Sequence, residues 1–195
     1  MRLSSLPKVF AIAIIVLGVS GIPSSQAQEI KAVDLGVKEP TVLPDNPLYL
    51  FKEIQRFFSA AFDFSADPVK KARKQQELVS EKLIEAQLLS QKEKVNKSLV
   101  EAAVKDYQKQ VGKLKDQIEK MPEKIKSERL AVEREKFLQE TAGVFIKYSA
   151  VIEELGTKIS APVASSVFTE NIDAFNLVLE ELPNDLKLRG KPGEF

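Results

Sequence analysis

Residues 98–121 read SLVEAAVKDYQKQVGKLKDQIEKM. Val100, Val104, Tyr107, Val111, Leu114, Ile118 and Met121 follow one another at alternating steps of four and three, an unbroken heptad seam. The spacing predicts a helix over 98–121 whose apolar line must be covered by other helices. Asn96 or Ser98 is placed to cap it, and Ser98-x-x-Glu101 has the spacing of a capping box. Pro122 interrupts the pattern.

Working outward, the same kind of signal continues on both sides. Phe137, Thr141, Val144, Tyr148, Val151 and Leu155 form a second seam in a predicted helix over 123–156. It is out of phase with the first, which points to a chain reversal or a kink near 121–127. Gly156 is placed to act as a C-cap. Upstream, Asp67-Pro68 opens a helix over 68–94 with Val69, Ala72, Val79, Leu83, Ala86 and Leu89 on one face. Ala72 and Ala86 are small enough to admit a close neighbour. A first helix over 46–63, started by Asn46-Pro47, carries a wide apolar face of Leu50, Phe51, Ile54, Phe57, Phe58, Ala61 and Phe62. A last helix over 162–182 aligns Val163, Val167, Phe168, Ile172, Phe175, Leu179 and Leu182 before Pro183. No alternating strand pattern exceeds three or four residues. The fold expected is all-α: an elongated antiparallel bundle of about five helices with coiled-coil-like packing, over residues 45–183.

The ends read differently. Arg2 and Lys8 precede an apolar run from Val9 to Ile22, followed by Pro23 and small residues. Ser25-Gln26-Ala27 fits a small-x-small cleavage site, so residues 1–27 read as a signal peptide and the chain as extracytoplasmic, in the periplasm, secreted or on the envelope. An uncleaved anchor is the alternative. Residues 28–44, with Gly36, Pro40 and Pro44, read as a flexible linker, and 184–195 as a mobile tail.

The chain contains no His, no Cys and no Trp. That excludes a thiol nucleophile, a Ser-His-Asp triad, the usual zinc sites and a disulfide framework. The net charge of +1 makes no demand for nucleic acid. Charge is uneven, however. Residues 66–136 hold 18 basic and 13 acidic side chains, and residues 137–195 hold 5 and 9. These faces either neutralise each other within the bundle or leave a basic surface for an anionic polymer or lipid headgroups.

Leu43-Pro44-Asp45-Asn46-Pro47-Leu48-Tyr49, Lys52, the corner Phe62-Asp63 to Asp67-Pro68, and Ser80-Glu81-Lys82-Leu83-Ile84-Glu85-Ala86 resemble a bacterial family catalogued as domain of unknown function 5667. The likeness covers about residues 43–120. Asn46 stands where the family shows Ser, Lys82 where it shows Arg, and the corner is longer. The resemblance implies a helical, extracytoplasmic protein and transfers no catalytic residue.

The candidate interaction surface comprises Tyr49, Lys52, Phe57, Phe58, Glu77, Glu81 and Glu85. Pro44 and Pro47 hold the chain extended and then start the helix, so the segment reads as a rigid corner, with Tyr49 offering its hydroxyl to a polar partner. Glu77, Glu81 and Glu85 lie four residues apart on one helix face. They read as a solvated stripe offset by Lys74 and Lys82, or else as a hard-cation or basic-partner site. The Phe-rich first helix reads as a lid on the core or as an interfacial helix on a membrane. Tyr107 and Tyr148 read as core. The expected function is a non-catalytic exported module that binds or spaces another envelope protein, or itself, without cofactor or metal. Membrane-surface or anionic-polymer binding is the alternative.

Overall fold

The computed structural model describes residues 30–61, 67–121 and 127–183, with side chains left out for 56–61. The signal segment, the side chains of Phe57 and Phe58, Pro122 and the tail 184–195 lie outside the described residues. Among the described residues the chain forms five α-helices and no strand: α1 Tyr49–Ala61, α2 Pro68–Ser90, α3 Lys97–Glu119, α4 Glu128–Gly156 and α5 Ala161–Glu181.

Capping chemistry starts α2 and α3. Asp67 accepts hydrogen bonds from the Val69 and Lys70 backbone, with Pro68 at the first helical position. Asn96, not Ser98, caps α3, accepting from Leu99 N at 3.2 Å. Glu101 does not close the expected capping box. It accepts instead from Ser160 N at 2.8 Å, at the start of α5. Hydrogen bonding to Ser160 holds its carboxyl below the usual range. Gly156 remains helical and Thr157 ends α4 with right-handed backbone angles, so the expected glycine cap does not form.

Helices α2 to α5 make a four-helix bundle. α2 packs on α3 and α4, and α5 packs on the same two, leaving α3 and α4 at diagonal corners. Cross-helix bonds fix the directions. Arg73–Glu140, Ser80–Tyr148 and Gln87–Glu154 climb α2 and α4 together, so these run parallel. Glu101–Ser160, Gln108–Ser166 and Lys115–Glu170 do the same for α3 and α5. Arg134–Glu181 and Ser149–Asn171 run oppositely, so α4 and α5 are antiparallel. The order is therefore up, down, up, down, and α4 runs antiparallel to α3, so the two are not one kinked helix. α4, with 29 residues, is about 43 Å long.

Every member of the 98–121 seam is buried, Tyr107 included. The second seam is buried too, except Val144, which is half-buried. Helix α5 departs from expectation. Its buried line is Val167, Asn171, Ala174 and Val178, while Phe168 and Ile172 are 45% and 40% exposed. Asn171 explains the rotation. Its Oδ1 accepts from Tyr107 Oη at 2.9 Å, and its Nδ2 donates to Ser149 Oγ at 2.9 Å and Phe145 O at 3.4 Å. A buried amide whose bonds are met can hold a core position, and it turns the bulkier residues beside it outward.

Residues 30–37 are not free linker. Ala32–Leu35 form a 3-10 turn strapped across α2, with Ala32 and Leu35 buried. Ser80 Oγ donates to Leu35 O at 3.2 Å, and Lys147 Nζ donates to Asp34 O at 2.6 Å. Gly36 closes the turn at φ 74°, where a side chain strains the backbone, although a Cβ would meet no atom within 4 Å. Gly36→Ala is therefore expected to cost about 1 kcal/mol from backbone strain alone, read as a lower urea midpoint.

Candidate functional site

The corner ahead of α1 is built by local hydrogen bonds. Asn46 N donates to Leu43 O, Tyr49 N donates to Asn46 O, and Leu48 N donates to Asn46 Oδ1, each at 2.9 Å. Asp45 pairs with Lys92 just past the end of α2. These contacts aim the first turn of α1 at the second half of α2.

There the two helices meet through charge. Lys52 Nζ donates to Glu85 Oε1 at 2.7 Å and to Val42 O at 3.1 Å, and pairs with Glu81 Oε1 at 2.9 Å. Lys82 Nζ donates to Tyr49 Oη at 2.5 Å and Glu53 Oε1 at 2.8 Å, and stands 3.2 Å from Glu85 Oε2. Tyr49 Oη donates to Glu85 Oε2 at 2.6 Å, and its ring lies beneath both ammonium groups, 5.6 Å from Lys52 and 4.9 Å from Lys82. Each ammonium has three donors and finds three acceptors, which is the condition for tolerating buried charge.

Glu85 is fully buried and Lys82 is 2% exposed. At Glu85 the carboxylate stripe is thus not a solvated face. Burial alone would push the Glu85 carboxyl up, but hydrogen bonds from Lys52 and Tyr49 and the charges of Lys82 and Lys52 outweigh it, leaving the group below its ordinary value. A depressed carboxyl stabilises the fold fully above its unfolded value of about 4.5 and loses that contribution as pH falls through the lower folded value. Melting temperature is therefore expected to drop more steeply below that pH in the wild type than in Glu85→Gln, as followed by circular dichroism.

Of the seven candidates, Tyr49, Lys52, Glu81 and Glu85 form this clamp and are spent on it. The ammonium of Lys52 lies between Glu81 and Glu85, where a hard cation would have to sit. Among the described residues no group of three or more acidic side chains is placed to hold a metal. Glu77 stands apart. It is exposed and lines a hollow of about 320 Å³ beneath the strap, with Asp34, Arg73, Gln76, Ser80 and Glu140. The sequence reading missed Glu53 as a partner and treated Lys82 only as a surface counter-charge. The available signal was Lys82 and Glu85 one turn apart, next to buried Leu83 and Ala86.

The other side of α1 is bare. Leu50 is 66% exposed, Phe51 68% and Ile54 44%, and Leu48 just before the helix is exposed as well. The polar side of α1 thus faces α2, while its described apolar side faces outward. This part of the helix is not a lid on the core. Among the described residues no helix is long and apolar enough to cross a membrane.

No curated protein and no solved structure matches the chain. A family model does, over residues 41–185, which takes in the Tyr49–Glu85 clamp, all five helices and the stretch beyond residue 120 that the sequence resemblance left out. The chain belongs to the family described as Domain of unknown function (DUF5667).

Proposed function

We propose that this protein is a non-catalytic, exported helical module of the cell envelope that binds another protein through the outward face of α1. The observation that supports this reading is the orientation of that helix. Lys52, Tyr49 and Glu53 are committed to α2, while Leu50, Phe51 and Ile54 are presented to the surroundings. A contiguous exposed apolar patch on a rigidly held helix is the usual mark of an interaction site. Export rests on the Arg2–Ala27 signal pattern in the sequence.

The test is cross-linking in the envelope with the full chain carrying a C-terminal tag, comparing wild type with Phe51→Ser. One protein retained saturably by the wild type and lost with the variant supports the reading. Retention of lipid or wall material alone sinks it.

A second reading draws on α3, where Lys105, Lys109 and Lys113 are exposed one turn apart. Together with the α1 face they suit an anionic membrane surface or envelope polymer. This version requires salt-sensitive co-sedimentation with anionic liposomes or cell-wall material, and fails if none occurs at low salt.

A further inference from the structure

A second apolar cluster lies on the far side of the bundle. Phe168 and Ile172, one turn apart on α5, are exposed, and Ile146 on α4 is 63% exposed. Asn171 bonds to Phe145 O and to Ser149, so Ile172 and Ile146 sit at the same level of the α4–α5 pair. Half-buried Phe175 and Leu179 continue the α5 stripe. Two neighbouring helices with apolar residues at one level make a shallow groove that accepts a third helix.

Charge divides along the same line. Helices α1 to α3 carry 12 basic and 8 acidic side chains, whereas α4 and α5 carry 4 basic and 10 acidic. Arg73–Glu140 and Lys115–Glu170 join the two halves. Outside those bridges Lys105, Lys109 and Lys113 remain exposed on one half, and Glu153 and Asp173 on the other. The chain therefore presents a basic side bearing an apolar helix and an acidic side bearing an apolar groove.

We propose that two copies of this chain associate head to tail, the outward face of α1 on one copy lying over Ile146, Phe168 and Ile172 of the other. The proposal rests on the reading of α1 as a binding face and names its occupant. Three observations favour a second copy. The charges of the two faces are opposite in sign. Leu50, Phe51 and Ile54 span about 100° of the helix, an arc that fits a groove between two helices better than a single seam. A bilayer would take up only one of two apolar clusters on opposite sides of the bundle, whereas head-to-tail contact repeated from copy to copy covers both.

The test is molar mass by light scattering for the purified full chain with a C-terminal tag, over a wide concentration range at low and high salt. Concentration-dependent self-association that weakens with salt is expected. Phe51→Ser and Ile172→Asp should each weaken it about tenfold or more, since each removes an apolar anchor. Mixing the two variants should restore a heterodimer, because one supplies an intact α1 and the other an intact groove. Both substitutions are on the surface, and an unchanged melting temperature checks that the bundle is intact. A monomer at every concentration overturns the proposal. So does association that Phe51→Ser abolishes and Ile172→Asp leaves untouched, because the contact is then α1 against something other than the groove. A monomer that still retains an envelope protein through Phe51 overturns this inference and leaves the proposed function standing.

Discussion

Glu85→Ala is expected to lower the free energy of unfolding by about 3–5 kcal/mol, the range for removing one partner of a buried ion pair. The loss follows from what remains rather than from what is deleted. Lys82 stays 2% exposed with a full charge, and Tyr49 loses the acceptor for its hydroxyl. Glu53 and Glu81 compensate only in part, because their side chains are 38% and 25% exposed and water already screens them. The effect therefore belongs at the lower end of the range. Replacing the pair by apolar groups, as Lys82→Met with Glu85→Leu, should recover most of it, since neither a buried charge nor its desolvation is then present. Urea titration near neutral pH reads both values. Hydrogen exchange of the amides over 49–55 should accelerate in the single variant, because the clamp is what holds the first turns of α1.

Tyr148→Ala is expected to cost a similar 3–5 kcal/mol, the range for truncating a buried aromatic ring. Tyr148 is fully buried, edge-on to Tyr107 at 5.8 Å and to Phe145 at 5.2 Å. Burial raises its hydroxyl far above the range in which it could ionise, so it acts only as a neutral hydrogen-bonding group. It donates to Ser80 Oγ at 2.7 Å, and Ser80 in turn donates to Leu35 O on the strap. Tyr148→Phe removes this relay and keeps the ring, at about 1 kcal/mol. Limited proteolysis within residues 30–37 separates the two effects. Tyr148→Phe should loosen the strap with little change in the bundle, whereas Tyr148→Ala should weaken both.

The bundle was legible because repetition carried it. The seam from Val100 to Met121 and the line from Phe137 to Leu155 each repeat a single geometric demand over several turns, and both end buried or nearly so. Helix α5 was misread by one position because periodicity counts apolar side chains and cannot see Asn171 finding Tyr107 and Ser149 inside the core. The strap escaped notice because a turn as short as Ala32–Leu35 has no period, and its stability comes from tertiary contacts with Ser80 and Lys147. At the site, Glu77 and Glu85 have the same spacing and chemistry in the sequence. Only α1 arriving with Tyr49 and Lys52 makes one a buried anchor and leaves the other in solvent. The apolar stripe of α1 was visible as composition. Which way it faces was set by where the charged clamp lies, and no local pattern encodes that.

The diagonal placement of α3 and α4 has a kinetic side. Within each hairpin the bonded residues are close in sequence: Gln75 and Gln110 are separated by 35 positions, and Ser149 and Asn171 by 22. Contacts between the hairpins span more chain, from 55 positions for Lys115–Glu170 to 72 for Gln76–Tyr148. Closing the longer loops costs more entropy, so each hairpin collapses before the two meet. The event expected to be slow is then the docking of the two halves, which stopped-flow refolding would read. Among the residues that meet at that step are buried polar ones, Tyr107 with Asn171 and Ser80 with Tyr148. Wrong registers between the halves leave these groups buried without partners, so the last step to form is also the one that rejects misassembly.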